Sequence, residues 1–351
     1  MDFTAGETEQ EIARLAAQVL AGARPPGEGG ASYDTAAWEE LAQAGLLSLT
    51  VPGWLAGEGY GVAAAAALLT EAGRAGAALP ALATVMTGVL PVVRWGGRGL
   101  QETVLAGVAT GDTVLTAALR EPSDPMPAVP ATTLADGTVS GVKIGVPYAA
   151  EAAWLLVPVT AGGASAVAVI SPAAAGVTLA RTHTSAGDPE YTLRLADAPA
   201  AGMLTGGAVT GLYQLALAGA CCLADGALAA ALALTTRHIG TREQFGRPLA
   251  KFQAAAQHIA DVYIAARTLH LATVSACWQL DSGRDAGPEV DVAAYWLARH
   301  APAALRACHH LHGGTGMDVS YPLARFSALV KDLGRFTGGA SYRLDQLAAR
   351  V

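Results

Sequence analysis

TREQFGRPLAKFQAAAQHIAD, residues 241–261, and HLHGGTGM, residues 310–317, decide how this 351-residue chain reads. Arg242 stands three residues before Phe245, and Gly246 and Pro248 precede an amphipathic pattern opening at Leu249 and Phe252. A chain break and a fresh helix start are expected there. A guanidinium is a planar fork of donors suited to pyrophosphate, and a neighbouring aromatic offers a flat apolar face to a ring system. In the second stretch Gly313 and Gly314 let backbone approach a ligand closely, and the N–H groups of such a turn can meet an anion. Each stretch also has a plainer reading, as a surface arginine beside a core phenylalanine and as a glycine helix stop. Together they read as the two halves of a site for a phosphate-bearing ligand.

Upstream of these motifs, from about residue 116 to 205, the composition shifts to Thr, Val, Pro and Gly in short alternating runs. TVSGVKIGVP (138–147), AAWLLVPVT (152–160), SAVAVIS (165–171) and YTLRLAD (191–197) predict strands. Strands at short spacing with no helix between them predict a small antiparallel barrel or sandwich. Residues 206–351 return to helix, in four segments at 207–239, 249–282, 287–311 and 321–349, whose short breaks favour an antiparallel four-helix bundle. Residues 1–115 also read as helical. Phe3, Ile12, Leu15 and Val19 share one helical spacing, Trp38, Leu41 and Leu46 another, and Ala63–Ala72 is a run of helix formers. Pro25-Pro26 and Gly57, Gly59 and Gly61 punctuate that segment. The expected architecture is α+β and multidomain: an N-terminal helical domain (1–115), a β domain (116–205) and a C-terminal helical bundle (206–351).

Composition narrows the function classes. Hydrophobic residues make up 52% and charged residues only 15%, which, with allowance for abundant alanine, suggests surface buried against other subunits. The net charge is −7 without a run of like charges, so neither nucleic acid nor an anionic membrane is an expected partner. The opening MDFTAGETEQEIARLAAQVL is amphipathic and acidic, unlike a signal peptide. The apolar stretch Gly206–Ala233 comes nearest to a membrane span, but Tyr213, Gln214 and Asp225 interrupt it, and a helix buried among helices is preferred. Cys221, Cys222, Cys277 and Cys308 lack metal-ligand spacing and read as small buried residues of a reduced, cytoplasmic protein with no metal.

The paired motifs, RxxFG leading to a helix with Phe252-Gln253, then HxHGGxG and Tyr321-Pro322, resemble the C-terminal domain of the acyl-CoA dehydrogenase family. WEELAQAGLLSLTVPGWLAGEGYG (38–61) is similar to that family's N-terminal domain, where the region helps wall the acyl pocket. The helix–strand–helix order agrees with the family's, and the resemblance spans the chain. It implies an FAD enzyme that removes hydrogens from Cα and Cβ of an acyl-CoA thioester, built as an oligomer through its C-terminal bundle.

Such chemistry needs a carboxylate base beside the thioester and a flavin that accepts the β-hydride. The resemblance places the base at one of two positions, and neither holds an acid here. In TGGAS (337–341), similar to a phrase that bears the glutamate in many members, Gly338 stands in its place. The alternative position, about thirty residues ahead of Phe245-Gly246, falls on Ala216 within QLALAGACC. Asp225 is more than two turns further along the same helix at about 1.5 Å per residue. Glu243 and Asp332 are weak substitutes that a solvated surface explains. Phrases that usually touch the flavin ring are altered too. LREPSDPMP (119–127) has Arg120 in place of a threonine, and KIGVPYAAEA (143–152) has Val146-Pro147 where a hydroxyl residue is usual.

What the resemblance assigns to the adenosine and pyrophosphate half of the cofactor is present, at Arg242, Gln244, Phe245, Gln253, His310, Gly313 and Gly314. In the family these residues reach a flavin seated in a neighbouring subunit. His310 stands for the usual glutamine, and an imidazole can still donate one hydrogen bond. The expectation is a complementary subunit of an α2β2 acyl-CoA dehydrogenase whose homologous partner carries the catalytic glutamate. HLHGGTGMDVSYPLARF and GGASYRLDQLA resemble one of the two subunits found in heterotetramers of actinobacterial steroid side-chain breakdown. The rival readings are a homotetramer with an unconventional base, a flavin enzyme of different chemistry, and a flavin-free scaffold that binds acyl-CoA.

Overall fold

The computed structural model describes residues 3–23 and 32–350. Pro25-Pro26 lie outside the described residues. Helices α1 (Glu7–Val19), α2 (Thr35–Gln43) and α3 (Val62–Ala75) come first; a π-helical run Leu82–Val89 then continues into α4 (Leu90–Trp95), followed by α5 (Arg98–Leu105). Ile12 and Ala16 bury one face of α1, while Phe3 lies ahead of the helix and is exposed. Leu46 is buried beyond the end of α2, after a turn at Gly45.

Eight strands follow between Leu115 and Leu204: β1 (Leu115–Ala117), β2 (Thr133–Ala135), β3 (Thr138–Pro147), β4 (Trp154–Ala161), β5 (Ala164–Ile170), β6 (Val177–Thr182), β7 (Glu190–Pro199) and β8 (Gly202–Leu204). They form one sheet in the order β6-β7-β3-β2-β4-β5-β8, with β1 also on β4. The sheet is mixed where a purely antiparallel one was expected. β1 pairs in parallel with Trp154–Leu156 and β2 in parallel with Thr160–Ala161. The chain leaves β4's edge after β1 and rejoins it further along in the same direction, so both short strands run with β4. Strand β4 is apolar and buried along most of its length, as a strand covered on both faces should be.

The C-terminal part holds α6 (Ala208–Thr241), a two-residue hairpin β9 (Glu243–Gln244) and β10 (Arg247–Pro248), α7 (Gln253–Asp281), α8 (Gly287–His312), α9 (Pro322–Phe336) and α10 (Ala340–Ala348). Helices α6 to α9 form the bundle, and α10 packs on α8. The segment expected as one helix over 321–349 is two, because Gly338 (φ +90°) and Gly339 (φ +85°) adopt left-handed backbone that a helix cannot contain. Helix α6 is long and apolar enough to cross a membrane, yet 78% of its most apolar window is buried inside the protein. All four cysteines are buried free thiols, and Cys222 and Cys277 meet at 3.6 Å across α6 and α7.

The two helical parts share a core through α3 and α6. Gly73 and Gly226 allow this approach: a Cβ on either would collide with the other helix's backbone, at Leu223 and Thr70 respectively. The start of α3 has no cap of its own. Asp281, at the end of α7, accepts hydrogen bonds from Val62 N at 2.6 Å and Ala63 N at 3.3 Å. A carboxylate there also meets the positive end of the helix. Asp281→Ala is expected to cost about 1 kcal/mol, read as a lower urea midpoint by circular dichroism, and an unchanged midpoint would refute the capping role.

Candidate cofactor site

Helix α6 ends at Thr241 because Arg242 turns extended, and the β9–β10 hairpin follows, with Phe245 (φ +52°) and Gly246 (φ +75°) at its tip. Helix α7 starts at Gln253, and Arg247 lies 4.2 Å above the Phe252 ring. Opposite, α8 ends at His312 and passes into a tight turn over Gly313–Met317. His309 braces that turn, its Nδ1 donating to the Gly316 carbonyl at 2.7 Å and its Nε2 lying 2.6 Å from Ser327 Oγ.

Between these elements lies a cavity of about 820 Å³. Of the seven residues singled out from sequence, Arg242, Gln244, His310, Gly313 and Gly314 line it. Phe245 and Gln253 do not: Phe245 sits at the hairpin tip, 92% exposed, and Phe252 takes the place in the wall. His238 and His258, and also His312, Thr315 and Tyr321, which stand inside the quoted motifs but were not singled out as site residues, line the cavity as well. His238 precedes Arg242 by four residues, a helical spacing that puts the two on one face and was there to be seen. No lining residue is acidic. Phe245, Met317 and Val319 are large apolar side chains left exposed on the hairpin and just past the turn.

A second feature lies between the sheet and α9. Arg120 bridges to Ile144 of β3, beside Gly145, whose Cβ position would fall 3.4 Å from Arg120 Nη1 and 3.5 Å from the Glu190 carboxyl. Glu190 on β7 holds Arg335 on α9 at 3.1 and 2.5 Å, and Arg325 holds Asp188 at 3.0 Å. Arg120 Nε is buried without a partner, and burial, with Arg335 nearby, pulls its pKa below the ordinary value. The remaining cavity behind these ion pairs is only about 110 Å³.

Beneath it, Lys143 is fully buried and donates to Glu121 at 2.8 Å. Glu121 also accepts from Ala131 N (2.8 Å), Thr132 N (2.9 Å) and Thr132 Oγ1 (2.7 Å). Burial works to raise the Glu121 pKa, but Lys143 and these donors outweigh it and hold it near 2. The pair is structural and offers no base. Neither do the other acids considered: Asp225 is engaged by His270 at 2.9 Å, Asp332 accepts from Ala186 N at 2.7 Å, and Glu243 is on the exposed hairpin. Ala216 is buried inside α6. Among the described residues, no cluster of three His, Cys, Asp or Glu side chains is placed to hold a metal.

Helical, sheet and helical parts thus follow in order, with the cavity where the two C-terminal motifs meet. Residues 6–112 match the acyl-CoA dehydrogenase N-terminal domain and residues 211–351 the acyl-CoA dehydrogenase C-terminal domain. "Acyl-CoA dehydrogenase FadE28" of Mycobacterium tuberculosis is 43% identical over 100% of this chain and 99% of its own. The chain therefore belongs to the acyl-CoA dehydrogenase family, oxidoreductases that act on CH–CH bonds. Two solved structures are similar along nearly the whole length. One is the "Tcur3481-Tcur3483 steroid ACAD G363A variant", at TM-score 0.93 and 32% identity, covering 99% of this chain and 98% of that one. The other is the ChsE4-ChsE5 complex from Mycobacterium tuberculosis, at TM-score 0.92 and 28% identity, covering 100% and 98%.

FAD is the cofactor of that family. Its two ends fare differently against the residues present. The large cavity suits a pyrophosphate and a nucleoside: Arg242 supplies a fork of donors, the Gly313-Gly314 turn leaves room for close approach, no lining carboxylate opposes an anion, and Phe252 and Tyr321 supply flat faces. The space beside Pro147 offers the ring little room: the Arg325–Asp188 and Arg335–Glu190 ion pairs line a cavity of only about 110 Å³.

Proposed function

We propose that this chain is the base-lacking subunit of a heteromeric acyl-CoA dehydrogenase, in which it completes the FAD site of a homologous partner that supplies the catalytic glutamate. One contrast carries the reading: an acid-free cavity suited to a pyrophosphate coexists with alanine and glycine at both base positions and with a closed ring site. Bound FAD accepts the β-hydride of the acyl thioester. This chain's part is to hold the far end of that cofactor through Arg242, Gln244, His310 and the Gly313-Gly314 turn. Exposed Phe245, Met317 and Val319 beside the cavity suit a surface that a partner covers. The similarity to two structures named for paired subunits supports an α2β2 assembly, and the steroid ACAD among them supports a polycyclic acyl-CoA, such as a steroid side-chain thioester, as substrate. Using one active site per pair of chains would free room for so bulky a group. We place the assembly in the cytoplasm.

The test is visible flavin absorbance and native mass. The chain purified alone is expected to be colourless, and co-expression with a homologue bearing the glutamate is expected to give a yellow heterotetramer with about one flavin per two chains, held at the subunit interface. A yellow, active homotetramer would overturn the proposal. Turnover of a fatty acyl-CoA as fast as a steroid thioester would overturn the substrate assignment alone.

A further inference from the structure

Four of the chain's eight histidines, His238, His258, His310 and His312, line the cavity together with Arg242, and no lining residue is acidic although the protein carries a net charge of −7. His238 lies one turn before Arg242 on α6, and its ring stacks on that of His312 at a centroid distance of 4.4 Å and an interplanar angle of 24°. His312 is 4% exposed, and its Nδ1 lies 2.8 Å from the Cys308 carbonyl. A carbonyl only accepts, so Nδ1 carries the proton and donates it. That leaves Nε2 as a bare acceptor, buried without a partner. Two imidazolium rings in so close a stack would repel, so the stack carries at most one positive charge.

We propose that His238 is a ligand of the cofactor's pyrophosphate and that binding draws a proton onto it. This rests on the reading of the cavity as a grip for a phosphate-bearing nucleotide. With the cavity open, burial, then the neighbouring His312, then Arg242 hold the His238 pKa below its ordinary value, and burial likewise holds His312 down. Both rings are then neutral near neutral pH. A phosphate brings negative charge against His238 and reverses the balance for that ring, while burial of His312, 4% exposed, keeps the second ring neutral. His312 is a positioning residue: it fixes the plane of the His238 ring and, by opposing a second charge, sets the pH at which the proton arrives. The other charged or titratable groups around the stack leave this assignment intact. On α7, His258 packs edge-on against His310 at 5.4 Å; on α8, His309 is engaged by Gly316 and Ser327; Tyr321 meets His312 at 5.2 Å before α9; Arg242 is a fixed charge.

The sign follows from the shift. A ligand that raises a depressed imidazole pKa binds more tightly as pH falls, across the interval between the open and occupied values. The experiment is calorimetric titration of the full-length chain with ADP near pH 7.5, in two buffers of different ionisation enthalpy, repeated between about pH 6 and pH 8. Expected are uptake of up to about one proton per ADP and an affinity that falls by as much as about tenfold per pH unit. FMN, which lacks the pyrophosphate and the adenosine, is expected to bind without this uptake. His238→Gln should abolish the uptake and flatten the pH profile. His312→Phe keeps a stacked ring but lifts the repulsion, and should move the uptake to higher pH, which a purely structural role would not do. ADP binding without proton uptake, native-like uptake in His238→Gln, or no ADP binding would overturn the inference. A yellow heteromer together with proton-free ADP binding would sink this inference and leave the complementary-subunit reading standing; a colourless heteromer with proton-linked ADP binding would do the reverse.

Discussion

Lys143→Ala is expected to destabilise the protein by about 3–5 kcal/mol, because it strands a buried carboxylate without its counter-charge. Lys143 and Glu121 are both buried, and Glu121 ties β3 to the 119–132 segment by gathering Lys143, Ala131 and Thr132 at 2.7–2.9 Å. The double change Lys143→Met with Glu121→Leu removes both charges and should cost far less than Lys143→Ala, the pattern that a desolvated pair predicts and a mere packing defect does not. Acid should act on the same contact. Glu121 has a folded pKa near 2, below its ordinary value of 4.5, so its contribution is fully present above the unfolded value and is lost as pH falls through the interval toward 2. Urea midpoints measured down that interval should fall in the native chain and fall less steeply in Glu121→Gln. Equal slopes would refute the role given to Glu121.

The second large effect concerns restoring the base. Gly338→Glu and Ala216→Glu are each expected to destabilise the chain and to yield no dehydrogenase activity from it alone. Gly338 has φ +90°, where a side chain costs about 1–3 kcal/mol, and its Cβ would lie 2.6 Å from Tyr342 Cδ1 and 3.1 Å from Pro125. Tyr342 cannot readily move aside, since its hydroxyl donates to Asp124 at 2.8 Å. At Ala216 a glutamate would enter a fully buried seat with no cation waiting, a cost of several kcal/mol unless it stays protonated. Reduction of an artificial acceptor by the variant chain in the presence of acyl-CoA and added FAD would show that only the base was missing, and would sink the account of a closed ring site.

Much of this was legible in the residues themselves. Strand β3 runs from Thr138 to Pro147 as its alternation and flanking turn residues indicated, and α6, α7 and α8 end within a few residues of their expected limits. Strands β1, β2 and β8 have three residues each, too short to express a period of two, so the parallel pairing of β1 and β2 with β4 left no trace in the sequence. The break between α9 and α10 was visible as Gly338-Gly339, but those glycines were weighed only for the acid they lack. At the site, Arg242 and the Gly313-Gly314 turn announced themselves through residue chemistry. His238 did not, because a lone histidine near a helix end is usually packing, and His312, though inside the HxHGGxG phrase, was not weighed as a site residue; only the fold reveals that the two stack. Phe245 belonged to the motif yet stands outside the cavity, since a residue at a hairpin tip points where the turn geometry sends it.

The cap that Asp281 places on α3 carries a consequence for how the chain comes into being. Val62 and its cap are 219 residues apart, and Gly73 and Gly226, which cross, are 153 residues apart. At roughly 5–20 residues per second of synthesis, α3 waits on the order of 10–40 seconds after it emerges before its apolar face finds α6 and its first turn finds Asp281. The amino-terminal helices therefore form a late-closing half of the molecule, whose greasy surface stays open through most of translation. Chaperone dependence, and losses to aggregation when translation pauses between Ala75 and Asp281, should mark this protein more than its final stability would suggest.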